Sequence, residues 1–132
     1  MIVLKGWRCF LRIFKNAWFC RFARREKIKN EVLKDAIARV ERGLIDAELG
    51  GGVIKQRVAR PGQGRSGGYR SIIIFQKGER AFFVYGFAKS DRENIDPDEA
   101  ADFKKLAKVW FTFSDQKIEA MIKDQELTEI EL

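Results

Sequence analysis

Arginines and glycines are interleaved in one segment of this chain, RPGQGRSGGYR at residues 60–70. Its glycines at positions 62, 64 and 67 have the G-x-G-x-x-G spacing that is typical of a dinucleotide-binding loop. Such a loop needs a helix directly after it, because the helix N-terminus meets the pyrophosphate. The segment that follows, YRSIIIF, instead has the composition of a strand. We therefore interpret the glycines as a long hairpin connection and reject a nucleotide cofactor.

The basic residues around this connection support a different chemistry, in which side chains bind an anion. Lys55 and Arg57 alternate on one face of the preceding strand, Arg65 lies in the connection, and Arg70 begins the next strand. Lys89 ends the third strand, and all of these side chains could share one face or edge. Because such a cluster repels itself, it favours an anionic partner. A loose turn with solvated arginines is the alternative.

Aromatic residues stand among the basic ones and extend the prediction to RNA. Tyr69, Tyr85 and Phe87 offer rings on which unpaired bases can stack. Arg60 and Arg92 flank the same strands and add guanidinium groups that suit phosphate oxygens. We therefore predict an RNA-binding surface built on three successive strands.

The net charge of +7 is distributed in blocks. Residues 1–29 carry nine Lys and Arg against one acid, and residues 53–92 carry nine against two. Residues 30–52 carry three against five, and residues 93–132 carry five against eleven. Charge kept for solubility usually interleaves both signs, whereas this distribution favours a polyanion-binding surface on one part of the fold.

Composition argues against several other classes of protein. The chain has two cysteines, Cys9 and Cys20, and no histidine, which is too few ligands for a zinc site or a disulfide framework. The N-terminal stretch MIVLKGWRCFLRIF is interrupted by Lys5, Arg8 and Arg12, so it is too charged and too short to span a membrane. It also lacks the cleavage site of a signal peptide. We expect a cytoplasmic protein with neither a metal nor a small-molecule cofactor.

The periodicity of apolar residues predicts the elements that position these groups. A first strand is predicted at about residues 7–14, followed by a helix with Asn16 as its N-cap. A second helix begins after Asn30 and ends at Gly43 or in the LGGG run at residues 49–52. Both helices carry an apolar stripe that we assign to core packing.

Strands and a third helix follow from residue 53. Near-continuous apolar runs in the second and third of these strands indicate central strands covered on both faces. The helix after them has Asp96 as N-cap and Pro97 at its first position. The order β-α-α-β-β-β-α predicts an α+β fold, a small antiparallel sheet with two N-terminal helices and a C-terminal helix packed on it. We predict a single domain over residues 1–132, with its core at about 7–113 and a C-terminal extension at 114–132 that forms a short helix and a polar strand.

Two segments of the chain, GLIDAELGGGVIKQRVARPGQGRSGGYR and FVYGFAKSDRENI, closely resemble the RelE/HigB superfamily of bacterial type II toxins, and its RelE-like branch in particular. The resemblance covers about residues 14–109. It implies the same β-α-α-β-β-β-α fold and a ribosome-dependent mRNA endonuclease that inhibits translation. The partners that it implies are a cognate antitoxin protein and mRNA on the ribosome.

The resemblance also implies roles for individual residues. IKQR places Lys55 and Arg57 where the family has basic strand residues near the RNA backbone, and GGYR places Arg70 where it has its most recurrent arginine. YGFAKSDREN is similar to the HigB-type HGF-x-KK segment, so Lys89 matches a family lysine and Phe87 the aromatic residue beside it. The predicted catalytic residues are Lys55, Arg57, Arg70 and Lys89, and the predicted RNA-binding residues are Arg60, Arg65, Tyr69, Tyr85, Phe87 and Arg92.

Two features depart from the family pattern. Tyr85 stands where the HigB-type segment has histidine, and the C-terminal ELTEIEL offers no counterpart of the tyrosine or histidine that some relatives use. Without histidine, proton transfer falls to Lys55, Lys89 or a tyrosine. Three alternatives stay open, namely a ParE-like inhibitor of DNA gyrase, a plain RNA-binding module on the same fold, and a decayed, inactive toxin.

Overall fold

The computed structural model describes residues 11–60 and 64–131, with the backbone alone at residues 64–66. Within these residues lie six strands and four helices, numbered here in chain order. The elements are β1 (Arg12–Asn16), α1 (Ala17–Glu26), α2 (Asn30–Glu41), β2 (Ala47–Gly50), β3 (Val53–Arg60), β4 (Gly64–Gln76), β5 (Arg80–Ala88), α3 (Pro97–Trp110), α4 (Asp115–Lys123) and β6 (Leu127–Ile130). The predicted α+β class is confirmed.

The strands of the described residues form one sheet, in the order β2-β3-β4-β5-β1-β6. All pairs are antiparallel except β1 and β5, which run parallel. We predicted an antiparallel sheet, and the one parallel pair has a topological cause. Two helices carry the chain away from β1, and the meander β3-β4-β5 then brings β5 back to lie beside it.

The glycine run at residues 50–52 makes a hairpin and does not end a helix. α2 ends at Glu41, the earlier of the two predicted ends, and the strand β2 then pairs with β3 across the glycines. Gly50, Gly51 and Gly52 have φ angles of +96°, +62° and +83°, a left-handed region that glycine enters without strain. The pattern of the sequence missed β2, a four-residue strand of alternating exposure.

Helix starts agree with the capping residues of the sequence. The Asn16 side chain accepts a hydrogen bond from the Phe19 amide at 2.8 Å, which confirms the predicted N-cap of α1. Asp96 and Pro97 take their predicted places at the start of α3. Of the first strand predicted at 7–14, residues 7–10 lie outside the described residues, and the described strand runs from Arg12. None of the helices in residues 11–131 is long and apolar enough to cross a membrane.

The sheet carries helices on both faces and therefore has two cores. α1 and α2 pack on one face, called here the α1 face, around Phe19, Leu33 and Ile37 from the helices and Ile73 and Phe83 from the sheet. α3 and α4 pack on the opposite face, called here the α3 face. This second core contains Phe14, Ile72, Phe82, Ala107 and Ile118, with Trp110 and Phe103 against it. Alternate residues of each central strand therefore enter different cores, which explains their continuous apolar runs.

The core continues past residue 113, where we predicted it to end. β6 pairs with β1 at the edge of the sheet, and Ile118, Leu127 and Ile130 are at most 1% exposed. The Arg80 guanidinium also donates to the Phe113 carbonyl at 2.7 Å and to the Asp115 carboxylate at 2.6 Å. The segment 114–131 is thus an integral part of the sheet and of its second core.

We predict that Gly86→Ala destabilises the fold, because Gly86 lies directly beneath α1. A Cβ at this position would lie 2.6 Å from Phe22 Cε2 and 3.2 Å from Phe19 Cε2. Phe22 has little room to move, since its ring contacts Trp18 and Tyr69. Overpacking of this kind costs about 1–3 kcal/mol in the free energy of unfolding, measured by chemical denaturation.

The double variant Gly86→Ala with Phe22→Leu controls this prediction. Removing the ring makes room for the new methyl group, so the cost of the double variant should be smaller than the sum of the two single costs. Additive costs, or a Gly86→Ala protein within about 0.5 kcal/mol of the wild type, would contradict the steric account.

Candidate nucleic-acid interface

Six residues on the α3 face form two rows across the central strands. Arg57 of β3 pairs with Arg70 of β4, and Arg70 pairs with Phe87 of β5. Two residues along each strand, a second row has the order Lys55, Ile72 and Tyr85. Because side chains alternate along a strand, both rows point to one side of the sheet. We call the surface made by these side chains and Arg92 the basic face; its polar and aromatic members are Lys55, Arg57, Arg70, Tyr85, Phe87 and Arg92.

Arg70 lies at the centre of the basic face and is only 8% exposed. Its Nη1 atom is buried and has no hydrogen-bond partner among the described residues. Burial, together with the nearby charge of Arg57, lowers the pKa of the Arg70 guanidinium, while Asp46 acts in the opposite direction. An arginine nevertheless stays charged at neutral pH. The site therefore holds a buried positive charge with an unused donor.

Two other buried arginines of this fold have hydrogen-bond partners for their guanidinium groups. Arg80, 7% exposed, donates to the Phe113 carbonyl and to Asp115. Arg39, 5% exposed, donates to the Arg57 carbonyl at 2.7 Å and to Asp35 at 3.3 Å. Both have carboxylate partners, as buried charges normally do. Arg70 is thus buried to a similar extent as Arg39 and Arg80, but it lacks their hydrogen bonds to carboxylates among the described residues.

Arg57 has a fixed backbone and an exposed side chain. Its amide donates to the Asp46 carboxylate at 2.7 Å, and its carbonyl accepts from Arg39. These two bonds hold β3 where its pairing with β2 has ended. Arg39 and Asp46 were missed by the sequence analysis, because both lie in segments whose charge pattern is ordinary for a solvated helix and loop.

Arg92 is held over the basic face by a carboxylate from α3. Its Nη2 and Nη1 donate to the two oxygens of Glu99 at 2.6 and 3.2 Å, and Nη1 also donates to the Tyr85 hydroxyl at 3.1 Å. The guanidinium carbon lies 5.5 Å from the centre of the Phe87 ring. The hydrogen bond with Glu99 raises the pKa of Arg92, and Arg92 in turn lowers the pKa of Glu99.

Glu99 was not predicted as a site residue, although the sequence carried a signal for it. It is the third residue of α3, and its carboxylate accepts from the amide of the N-cap residue Asp96 at 2.8 Å. The segment DPDE has the pattern of a helix start with a carboxylate at this position. The same carboxylate therefore stabilises the helix start and orients Arg92.

The remaining lysines lie at the border of the basic face. The Lys55 ammonium donates to the Asn94 side chain at 3.1 Å, so the loop after β5 reaches across to β3. Lys89 is exposed and directly follows β5, and its amide donates to the Gly68 carbonyl at 3.5 Å. Asn94 is a further neighbour that the sequence analysis did not single out.

Two predicted RNA-binding residues, Tyr69 and Arg60, do not join the basic face, and a third, Arg65, is described for its backbone alone. Tyr69 belongs to the core of the α1 face, is 2% exposed, and donates its hydroxyl proton to Glu26 at 3.0 Å. Arg60 lies over the Tyr69 ring, with 5.4 Å from its guanidinium carbon to the ring centre. The Arg65 side chain lies outside the described residues, and its backbone is part of β4.

The arrangement suits an anion that carries negative charge on several oxygens. Arg70 and Arg57 offer guanidinium donors in adjacent positions, and the half-buried ring of Tyr85 and the buried ring of Phe87 lie beside them. Within residues 11–131, no group of three or more His, Cys, Asp or Glu is placed to hold a metal ion. The side chains on the basic face are guanidinium groups, an ammonium group, a phenol and a phenyl ring.

Comparison with known proteins agrees with the resemblance of the two segments. The family model described as the RelE toxin of the RelE/RelB toxin-antitoxin system matches residues 11–130. A comparison with curated proteins finds no match. The family match spans every strand and helix described above, including α4 and β6. The chain belongs to the RelE toxin family.

Proposed function

We propose that this toxin inhibits translation by cutting mRNA on the ribosome, with the basic face as its RNA-binding and catalytic surface. The observation that carries the proposal is Arg70, a buried guanidinium with an unused donor beside the exposed guanidinium of Arg57. Membership of the RelE toxin family supports a toxin, and the basic face supports RNA as its target.

A phosphate diester would provide Arg70 with the hydrogen-bond acceptor and the negative charge that it lacks among the described residues. A buried charge without a partner destabilises a fold, so an uncompensated guanidinium is expected where a ligand supplies the counter-charge. A phosphate provides two oxygens for guanidinium donors, and Arg57 adds a second guanidinium on the neighbouring strand. A base beside that phosphate would lie close to the half-buried ring of Tyr85, whereas the Phe87 ring is only 4% exposed and has the Arg92 guanidinium over it.

Cleavage would proceed by attack of the RNA 2′-hydroxyl on the adjacent phosphorus. Arg70 and Arg57 would stabilise the charge that develops on the phosphate oxygens, which is the largest contribution expected from fixed donors. Lys55 and Lys89 would add positive charge and are amines available for proton transfer. The ribosome would supply the alignment of mRNA, which accounts for a site without histidine. Arg92 would add positive charge to the same surface, and Arg65 would contact the RNA backbone beside it. Arg60 lies over the Tyr69 ring, away from this surface.

The proposed protein partner is a cognate antitoxin, as the family description implies for RelE toxins. Residues 53–92 carry nine Lys and Arg against two acids, so an acidic antitoxin segment would complement the basic face. Covering Arg70 and Arg57 in this way would exclude mRNA from the same donors. Neutralisation would then be direct competition for one surface.

We predict that Arg70→Met strongly slows cutting without loss of stability. Methionine fills a similar volume and removes a buried charge that lacks a partner, so the free energy of unfolding should stay unchanged or rise. Loss of a donor to the developing charge lowers the rate by about 100- to 1,000-fold. Mapping of mRNA 5′ ends on translating ribosomes measures the cutting, and chemical denaturation measures the stability.

Arg80→Met provides the matched control, because Arg80 is equally buried and fully bonded. Its loss should lower the free energy of unfolding by about 1–3 kcal/mol and leave cutting by the folded protein unchanged. Undiminished cutting by Arg70→Met would contradict the assignment of the site.

The same mapping distinguishes the proposal from two other activities of this fold. New 5′ ends at codons occupied by ribosomes are expected on induction of the wild-type toxin. Intact mRNA together with DNA damage would favour inhibition of DNA gyrase. Bound but intact mRNA would favour a plain RNA-binding module, and unhindered growth without antitoxin would indicate an inactive toxin.

A further inference from the structure

We infer that Tyr85 is the proton donor to the leaving 5′-oxygen in RNA cleavage, with Arg92 and Glu99 as its positioning residues. The inference rests on the proposed function, because it assigns a step of that same reaction. It assigns to Tyr85, predicted from the sequence as an RNA-binding residue, the proton transfer that the sequence left open between Lys55, Lys89 and a tyrosine. Three observations carry it: the bonding of the hydroxyl group, the packing of the ring, and the position of both beside Arg70.

The hydroxyl oxygen of Tyr85 accepts a hydrogen bond from Arg92, while its O–H proton is not used in a hydrogen bond among the described residues. Arg92 Nη1 lies 3.1 Å from the phenol oxygen, and a guanidinium can only donate, so the oxygen accepts this bond. The O–H proton of Tyr85 therefore points elsewhere, and no acceptor for it is found among the described residues. The guanidinium also fixes the position of the phenol oxygen from which the proton would leave.

Tyr69 is the other tyrosine of the chain and has the opposite bonding. Its hydroxyl donates to Glu26 at 3.0 Å, so its proton is already engaged. Burial and the Glu26 carboxylate both raise the pKa of Tyr69, which makes it a poorer acid. Of the two tyrosines, Tyr85 therefore has the bonding pattern that a proton donor requires.

The Tyr85 ring is fixed by packing, and its arginine partner is fixed by hydrogen bonds. The ring centre lies 4.5 Å from that of Trp18 and 5.9 Å from that of Phe103, so helices from both faces contact it. Arg92 is held by both oxygens of Glu99, and its Nε donates to the Asn94 carbonyl at 2.9 Å. A preorganised donor of this kind loses no energy to reorganisation during the reaction.

The register of the strands places Tyr85 within reach of a phosphate on Arg70. Tyr85 and Phe87 are two residues apart on β5, and Phe87 pairs with Arg70. Tyr85 is thus a diagonal neighbour of Arg70 on the same face, a spacing of about 7–8 Å between Cα atoms that long side chains bridge. A phosphate bound by Arg70 and Arg57 would lie on the side of the sheet to which the phenol points.

The step balances without any added reactant except water. The 2′-oxygen forms a bond to phosphorus while the bond from phosphorus to the 5′-oxygen breaks. The 2′-hydroxyl proton passes to water, and the Tyr85 proton passes to the departing 5′-oxygen. The products are a 2′,3′-cyclic phosphate and a 5′-hydroxyl end. The phenolate, held by Arg92, then regains a proton from water.

The test compares Tyr85→Phe with Tyr69→Phe on two synthetic mRNAs bound to ribosomes. The first mRNA has an ordinary linkage at the cut site, and the second has sulfur in place of the 5′-bridging oxygen. A thiolate leaves without a proton, since thiols have a pKa of about 8.5. On the ordinary linkage, Tyr85→Phe should reduce the single-turnover rate by about 100-fold or more, which is the usual contribution of a general acid. On the sulfur linkage, the variant should cut as fast as the wild type.

Glu99→Gln provides a second variant for the positioning role. Glutamine keeps one acceptor for the Asp96 amide but removes the charge that holds Arg92, so cutting of the ordinary linkage should fall while the sulfur linkage is cut normally. Tyr69→Phe should cut both mRNAs at the wild-type rate once folded.

Four outcomes decide the inference. The inference is supported if Tyr85→Phe cuts the ordinary linkage more slowly than the wild type and the sulfur linkage at the wild-type rate. An equal loss on both linkages would assign Tyr85 to stacking or packing and overturn the inference, as would an undiminished rate on the ordinary linkage. A wild-type protein that cuts neither mRNA would overturn the proposed function itself, and this assignment with it.

Discussion

The basic face depends on one unfavourable arrangement, a guanidinium buried in the middle of a sheet that makes no ion pair among the described residues. Arg70 lies on the central strand β4, 8% exposed, with the like charge of Arg57 on the adjacent strand. Replacement of such a group by an apolar residue usually costs nothing and often stabilises a fold. Arg39 and Arg80 have carboxylate partners in the same protein, so the chain is able to supply such partners elsewhere. The unpaired charge is best explained by a ligand.

Much of the surrounding structure serves to keep that charge in place. The two cores pack on both sides of the sheet, and the pairing of β3, β4 and β5 places Arg57, Arg70 and Phe87 in one row. The loop after β5 crosses the α3 face, where Arg92 bonds to Glu99 and Asn94 bonds to Lys55. The first turn of α3 is therefore connected directly to the basic face. Local helix capping and site geometry share one carboxylate, Glu99.

The fold class and the basic residues of the site could be predicted from the sequence. The order of the strands and the face on which each aromatic residue lies could not. Capping at Asn16 and Asp96 is local chemistry, and it was visible in the sequence. The parallel pairing of β1 with β5 was not, because strand order depends on contacts between distant segments. For the site, alternation along β3 gave the shared face of Lys55 and Arg57. It could not show that Tyr69 faces the other core, because the phase of a strand without polar alternation is undetermined.

We propose that the basic face cuts RNA and does not merely bind it. The most direct measurement is the analysis of a defined mRNA incubated with purified ribosomes and the wild-type toxin, with the chemistry of the new ends determined. The account predicts new fragments with a 2′,3′-cyclic phosphate on one side and a 5′-hydroxyl on the other, at the codon that the ribosome exposes. An mRNA that stays intact while the toxin is bound to the ribosome would contradict it.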